Sequence, residues 1–141
     1  FKNINLLISK DEHIKNYQIL ADNYRLKQVF SNLIDNAIKF TEQGFVEYGY
    51  KIISGNETSK IQFFVKDTGI GISKKQQEVI FQRFTKIEDH KEKLYRGAGL
   101  GLTISKNLIE MMDGEIWIES VPHEGSTFYF TLSADKSKAK T

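Results

Sequence analysis

Gln28-Val29-Phe30-Ser31-Asn32-Leu33-Ile34-Asp35-Asn36-Ala37-Ile38-Lys39-Phe40 is the stretch on which the fold turns. Its apolar residues, with Leu26 ahead of them, recur at steps of three and four, which is the period of a helix buried along one stripe. Asp22 offers an N-cap shortly before Arg25, where the period begins. Gly44 is the expected stop. At about 100° per residue, Asn36 stands about 40° from Asn32 and Lys39 about 20° to its other side. These three polar residues therefore share one narrow strip at the edge of the apolar stripe.

Working outward, residues 3–9 and 17–21 read as strands, as do 45–53 and 60–66, with Gly55-Asn56 in the turn between the last two. Ser73 and Gln76 form a capping-box signature for a short helix reaching Phe84. Residues 85–98 are polar, lysine-rich and without period, and read as a long loop. A third helix is expected from Gly99 to Met112, ended by Asp113-Gly114. Residues 115–120 and 126–132 are the last strands, joined across Pro122 to Gly125. Short turns between consecutive strands favour antiparallel pairing. The fold class that follows is α/β: a two-layer sandwich in which three helices cover one face of a mixed, mostly antiparallel sheet.

The chain has 141 residues, so one domain is the natural count, with residues 1–134 forming it and 135–141 a basic flexible tail. A composition of 40% hydrophobic and 27% charged residues is that of a folded globular chain. The absence of cysteine excludes a disulfide framework, a thiolate zinc site and a cysteine nucleophile. A net charge of +2 is too mild to point to nucleic acid, and no apolar run approaches a membrane span. Phe1 as the first residue suggests a piece of a longer protein.

Four segments could carry chemistry. Two amides and an ammonium on one strip (Asn32, Asn36, Lys39) suit a divalent cation and a polyphosphate, although the same trio also occurs on a plain solvated face. Asp67-Thr68-Gly69-Ile70-Gly71-Ile72 places a carboxylate at a strand end, where it can accept from an exocyclic amine such as that of adenine. Its glycines let the backbone approach a flat ligand closely. The rival is a simple strand-ending turn, or an aspartic protease motif, which three helices contradict. Arg96-Gly97-Ala98-Gly99-Leu100-Gly101-Leu102 would expose backbone N–H groups at a helix start, a phosphate-binding arrangement, or serve as a hinge. Gly125-Ser126-Thr127-Phe128 alone is only a turn.

Taken together and in this order, the segments resemble the catalytic ATP-binding domain of sensor histidine kinases, within the wider family of gyrase, chaperone and mismatch-repair ATPases. Residues 28–40 are similar to its N box, Asp67 to Ile72 to its first glycine box and Ile80 to Phe84 to its F box. Gly97 to Leu102 and Gly125 to Phe128 look like its second and third glycine boxes. The resemblance implies ATP and Mg²⁺ as ligands. Asn36 would be the metal ligand, and Asn32 would support the metal's water shell or orient the transferring phosphate. Lys39 would meet phosphate, and Phe40 would lie beside the base. Asp67 would hold the adenine amine, in a pocket shaped by Gly69, Gly71 and Ile72 and faced by Thr127. Lys86 and Arg96 would reach phosphate from a lid over residues 85–98. Gly97, Gly99, Leu100, Gly101 and Leu102 would cradle the phosphates.

The ATPase relatives carry a Glu at the position of Asn32, and an amide cannot act as a base near neutral pH. The resemblance thus implies transfer to a protein acceptor, with Asn32 and Lys39 as the groups at the reacting phosphate. The family's acceptor motif is missing: His13, His90 and His123 all stand in unrelated contexts. The implied partners are a phospho-accepting His and dimerisation domain of the parent kinase and a downstream response regulator receiver domain. Neither nucleic acid nor direct membrane contact is expected. The chain would be a monomeric, cytoplasmic domain of a parent that a membrane could anchor.

Overall fold

Asp22 opens the first helix as expected: its Oδ1 accepts from Tyr24 N at 2.9 Å and Arg25 N at 3.4 Å. The computed structural model describes residues 3–9, 18–19, 22–54, 59–81 and 92–135. The order is β1 (Asn3–Ser9), β2 (Gln18–Ile19), α1 (Asn23–Phe40), β3 (Gln43–Ser54), β4 (Ser59–Asp67), α2 (Lys74–Gln77), α3 (Glu92–Met111), β5 (Glu115–Val121) and β6 (Gly125–Asp135). The six strands form one sheet along β1-β3-β4-β6-β2, with β5 also pairing β6. Among these pairs β1 and β3 run parallel, and every other pair is antiparallel.

Alternation along the strands sorts the sheet into two faces. Ile61, Phe63 and Val65 of β4 and Phe128, Phe130 and Leu132 of β6 are buried on one face beneath Val29, Leu33 and Ala37 of α1 and Leu102 and Ile109 of α3. Phe30 of α1 stands edge-on to Phe63 and Phe130 at ring centroid distances of 5.4 and 5.3 Å. Such pairs contribute about 0.5–1.5 kcal/mol each beyond burial. The short α2 lies against β5. On the opposite face Trp117 of β5 stacks on Tyr129 of β6, with centroids 5.4 Å apart and planes 18° from parallel.

Several boundaries differ from the sequence expectations. Helix α1 stops at Phe40 with Thr41 in extended conformation, because the chain passes straight into β3 and needs no left-handed cap. Gly44, expected as that cap, is instead part of β3. Helix α2 ends at Gln77, and turn hydrogen bonds carry the chain on to Ile80; Phe84 lies outside the described residues. Helix α3 begins at Glu92, so residues 92–98 are helical and not loop. A helical glycine costs only about 0.5–1 kcal/mol relative to alanine, and Ala98, Leu100 and Leu102, good helix formers, alternate with the three glycines. Strand β6 extends to Asp135, which pairs with Gln18 and so belongs to the sheet and not to a tail. The Gly55-Asn56 turn, residues 85–91 and residues 136–141 lie outside the described residues.

Candidate functional site

Asp67 closes β4, on the helix-bearing face, opposite Ser126 of β6. It is 5% exposed. Its Oδ1 accepts two backbone N–H bonds, from Gly69 at 2.9 Å and Ser126 at 3.3 Å. Among the described residues nothing donates to Oδ2. Burial pushes the carboxyl above its ordinary value, and the two N–H bonds pull it partly back. One oxygen of this carboxylate is therefore engaged by the fold, and the other is open to a donor.

Thr127, expected to face the same pocket, does not. It pairs with Lys66 and Glu119 on the opposite face of the sheet. Strand period decides this: Ser126 shares the face of Asp67, so its neighbour must point away. Ser126, buried beside Asp67, takes the place assigned to Thr127.

The loop after Asp67 is held by the protein's own backbone. A Cβ on Gly69 would overlap the carbonyl oxygen of Phe40, which accepts Ile70 N at 3.2 Å. Gly71 has φ +72°, and a Cβ there would overlap the Val121 carbonyl. The close approach inferred from sequence for a flat ligand is thus an approach to α1 on one side and to the β5–β6 turn on the other. From that turn His123 N donates to Ile70 O at 2.6 Å.

Two residues outside the sequence motifs fasten the loop further. Ser120 Oγ accepts Ile72 N at 2.7 Å and lies 3.0 Å from Gly125 O and 2.8 Å from Ser126 Oγ. Gln77 Nε2 donates to Ile72 O at 2.7 Å and to Ser120 O at 3.1 Å. Ile72 itself is 2% exposed, so its backbone carries the contacts and its side chain joins the core. The partners Ile72 and Ser120 are far apart in the chain, as are Gln77 and Ser120, and such pairings leave no local signal in the sequence.

Because the loop sits on the end of α1, the amides of that helix follow it in order. At about 1.5 Å per residue, Asn36 lies about 6 Å and Asn32 about 12 Å from Phe40 along the helix axis. Asn36 is 4% exposed, and its Nδ2 has no hydrogen-bond partner. A buried unpaired amide costs about 1–3 kcal/mol, so this is no ordinary solvated face. Asn32 is half-buried, and its Nδ2 donates to Gly101 O and Ser105 Oγ of α3, each at 3.4 Å. Lys39 is exposed on the last turn of α1, and Phe40 is buried beneath the loop.

Among the described residues no cluster of three or more His, Cys, Asp or Glu could hold a metal. The donor set fits an ion of another habit. Mg²⁺ takes one or two protein oxygens and keeps its waters; the Asn36 carbonyl oxygen is of that kind, while its unpaired Nδ2 can only donate and calls for an acceptor such as a phosphate oxygen.

The third expected segment behaves differently. Gly97, Gly99 and Gly101 lie inside α3, so their N–H groups belong to helical hydrogen bonds and are not exposed at a helix start. Leu102 is a core residue, 1% exposed, and its side chain faces the sheet and not a ligand. Only the backbone is described at Arg96, Gly97, Gly99 and Leu100, and Lys86 lies outside the described residues. Thr103 Oγ1 donates to Phe81 O at 3.2 Å, tying α3 to the segment after α2.

Residues 21–136 match the family described as histidine kinase-, DNA gyrase B- and HSP90-like ATPase. The autoinducer 2 sensor kinase/phosphatase LuxQ of Vibrio vulnificus is 42% identical over 125 residues, 87% of this chain and 15% of that protein. The sensor histidine kinase GacS of Pseudomonas protegens is 40% identical over 121 residues, 85% of this chain and 13% of that protein. The chain thus spans about one seventh of the length of these curated relatives. Among solved structures, full-length ShkA in complex with AMPPNP superposes with a TM-score of 0.77 at 30% identity, over 94% of this chain and 26% of that one.

Proposed function

The chain belongs to the histidine kinase-, DNA gyrase B- and HSP90-like ATPase family, and on that footing we propose that it is the ATP-binding catalytic domain of a two-component sensor histidine kinase. The observation that carries the reading is Asp67. A buried carboxylate whose Oδ1 is taken by Gly69 and Ser126, and whose Oδ2 has no donor among the described residues, suits the exocyclic amine of adenine.

From the base the ligand would run back along α1, past Asn36 and then Asn32. Asn36 would hold Mg²⁺, which supplies charge neutralisation to the phosphates when bound. Lys39 would meet phosphate. Phosphoryl transfer rests on positioning and charge neutralisation more than on acid–base work. Asn32 in place of a carboxylate leaves no base to activate water there, which favours a protein acceptor over hydrolysis. The acceptor would be a histidine on the dimerisation domain of a parent kinase, and a response regulator receiver domain would receive the phosphoryl group in turn. The domain would act in the cytoplasm as a monomer, without contact to nucleic acid or membrane. No described helix is long and apolar enough to cross a membrane.

Titration of the chain with ATP, with and without Mg²⁺, tests the reading. Mg²⁺ should strengthen ATP binding in the wild type and not in Asn36→Ala. An ATP affinity indifferent to both Mg²⁺ and Asn36 overturns the metal assignment. With labelled ATP and an added acceptor-histidine domain, label should appear on the acceptor. Steady phosphate release with no labelled protein would instead make this an ATPase of the same fold.

A further inference from the structure

The Asn32 amide nitrogen meets two acceptors on α3, each at 3.4 Å. These acceptors, Gly101 O and Ser105 Oγ, belong to residues one helical turn apart, and because a helix carbonyl points toward the N–H four residues on, the two oxygens lie side by side. A backbone carbonyl can only accept, so the end of the amide that meets α3 is the NH₂ end. The carbonyl Oδ1 is therefore turned away from α3, and among the described residues it receives no hydrogen bond. Ser105 is completely buried, which holds its hydroxyl against Asn32 and away from water.

We propose that Ser105 is a positioning residue for phosphoryl transfer: it fixes the Asn32 amide so that Oδ1, and not Nδ2, faces the place of the metal and its water shell. The inference rests on the ATP-binding reading above and adds to it a residue outside its motifs. An amide gripped through one hydrogen can turn over about its terminal bond, and turning over exchanges an acceptor for a donor. With two acceptors on Nδ2, turning over gives up both contacts. The Gly101 carbonyl is present whatever the side chain, so the second grip is a property of residue 105 alone. An apolar residue there would leave one N–H of Asn32 unpaired.

The test uses the whole chain in four forms: wild type, Ser105→Ala, Asn32→Ala and the double variant. ATP affinity is measured with and without Mg²⁺, and thermal melting is recorded alongside. Ser105→Ala should leave Mg²⁺-free ATP affinity within about twofold and reduce the gain given by Mg²⁺ about three- to tenfold, the worth of one hydrogen bond. In the Asn32→Ala background the same change should add nothing. The side-chain amide resonances of Asn32 should shift in Ser105→Ala before any nucleotide is added. Ser105→Cys, of similar volume but a weak acceptor, should repeat the loss and guards against a packing defect in the alanine variant.

An equal loss of affinity with and without Mg²⁺, or a loss additive to that of Asn32→Ala, makes Ser105 a packing residue and overturns the proposal. So does an unchanged Mg²⁺ gain in Ser105→Ala where Asn32→Ala lowers it. If Asn32→Ala itself leaves the gain intact, it is the phosphate-end reading that fails, and the proposal falls with it; the single Asn32 variant tells the two failures apart.

Discussion

The two ends of the proposed nucleotide site are built on opposite plans. Around Asp67 almost every polar group has a partner: Oδ1 holds two N–H groups, Ser120 and Gln77 clamp Ile72, and Gly69 and Gly71 admit backbone where no side chain would fit. Around Asn36 the reverse holds. Its Nδ2 is buried and unpaired, and the glycine-rich segment of α3 is simply helical. The base end is bonded largely within the fold, with Asp67 Oδ2 and the buried Thr41 Oγ1 as its open groups, whereas at the phosphate end Asn36 Nδ2 lacks an acceptor. Substitutions that disturb the backbone and hydroxyl contacts of the first should therefore injure stability and binding together, and substitutions at the second should injure binding alone; Asp67 itself is the exception.

Gly69→Ala should break the fold most. Its Cβ would overlap the Phe40 carbonyl oxygen, a backbone atom that cannot step aside. A loss of about 3 kcal/mol or more in urea unfolding is expected. A fully stable Gly69→Ala variant would show that the base end is far looser than described.

Asp67→Asn should separate the two properties. Asparagine can still accept both N–H bonds through Oδ1, but its NH₂ then stands where Oδ2 offered an acceptor. ATP affinity should fall about 30- to 100-fold, the loss of a charge-assisted hydrogen bond, while binding of a 6-oxo purine nucleotide should fall less. Stability should move the other way. A carboxyl whose folded pKa lies above its unfolded value of 3.8 takes up protons on folding, so its contribution declines as pH rises from below 3.8 through the raised folded value. Asp67→Asn should thus melt higher than wild type at neutral pH, with the advantage vanishing below the unfolded carboxyl pKa. Melting curves under the two conditions check this, and a variant less stable than wild type at neutral pH would overturn it.

Ser120→Ala is smaller and sharpens the same contrast. It removes a hydroxyl that meets Ile72 N, Gly125 O and Ser126 Oγ. The expected cost in urea unfolding is about 1–2 kcal/mol. ATP binding should weaken equally with and without Mg²⁺, since only the base end is disturbed. A Mg²⁺-dependent loss would show that the ends are coupled.

Gly101→Ala is the mildest, and its sign is the point. A Cβ there would meet Asn32 at 3.9 Å, an ordinary contact, so the fold has no need of that glycine. The variant should be more stable by about 0.5–1 kcal/mol on helix propensity. Weaker ATP binding in spite of that gain would locate the need for glycine in the bound state; equal binding would remove Gly101 from the site.

Much of this architecture is legible in the residues, and the limits of legibility are physical. The period of Val29, Leu33, Ala37 and Phe40 and the cap at Asp22 are local, and they place the start of α1 to within two residues, whereas its end, expected at Gly44, comes at Phe40. The capping box at Ser73 and Gln76 is likewise local, and it forms. The start of α3 is hidden because glycines at 97, 99 and 101 look like a loop by propensity, and propensity is a small term beside a continuous helix. Thr127 falls one residue away from the pocket position because a motif has no phase until its strand is paired. Ser120 and Ser105 escape sequence reading because Ile72 and Asn32 lie 48 and 73 residues away from them, and no window of sequence contains both partners.

The stacked pair on the far side of the sheet has a practical consequence. Trp117 is the chain's single tryptophan, and it shares β5 with Ser120 while its ring lies on Tyr129, on the face opposite Asp67. A ligand at the site cannot quench it by contact. A change in its emission on adding nucleotide would be passed on through the elements that touch β5, namely β6, α2 and α3, so the protein carries a built-in optical gauge of how far the fold yields when the site is filled.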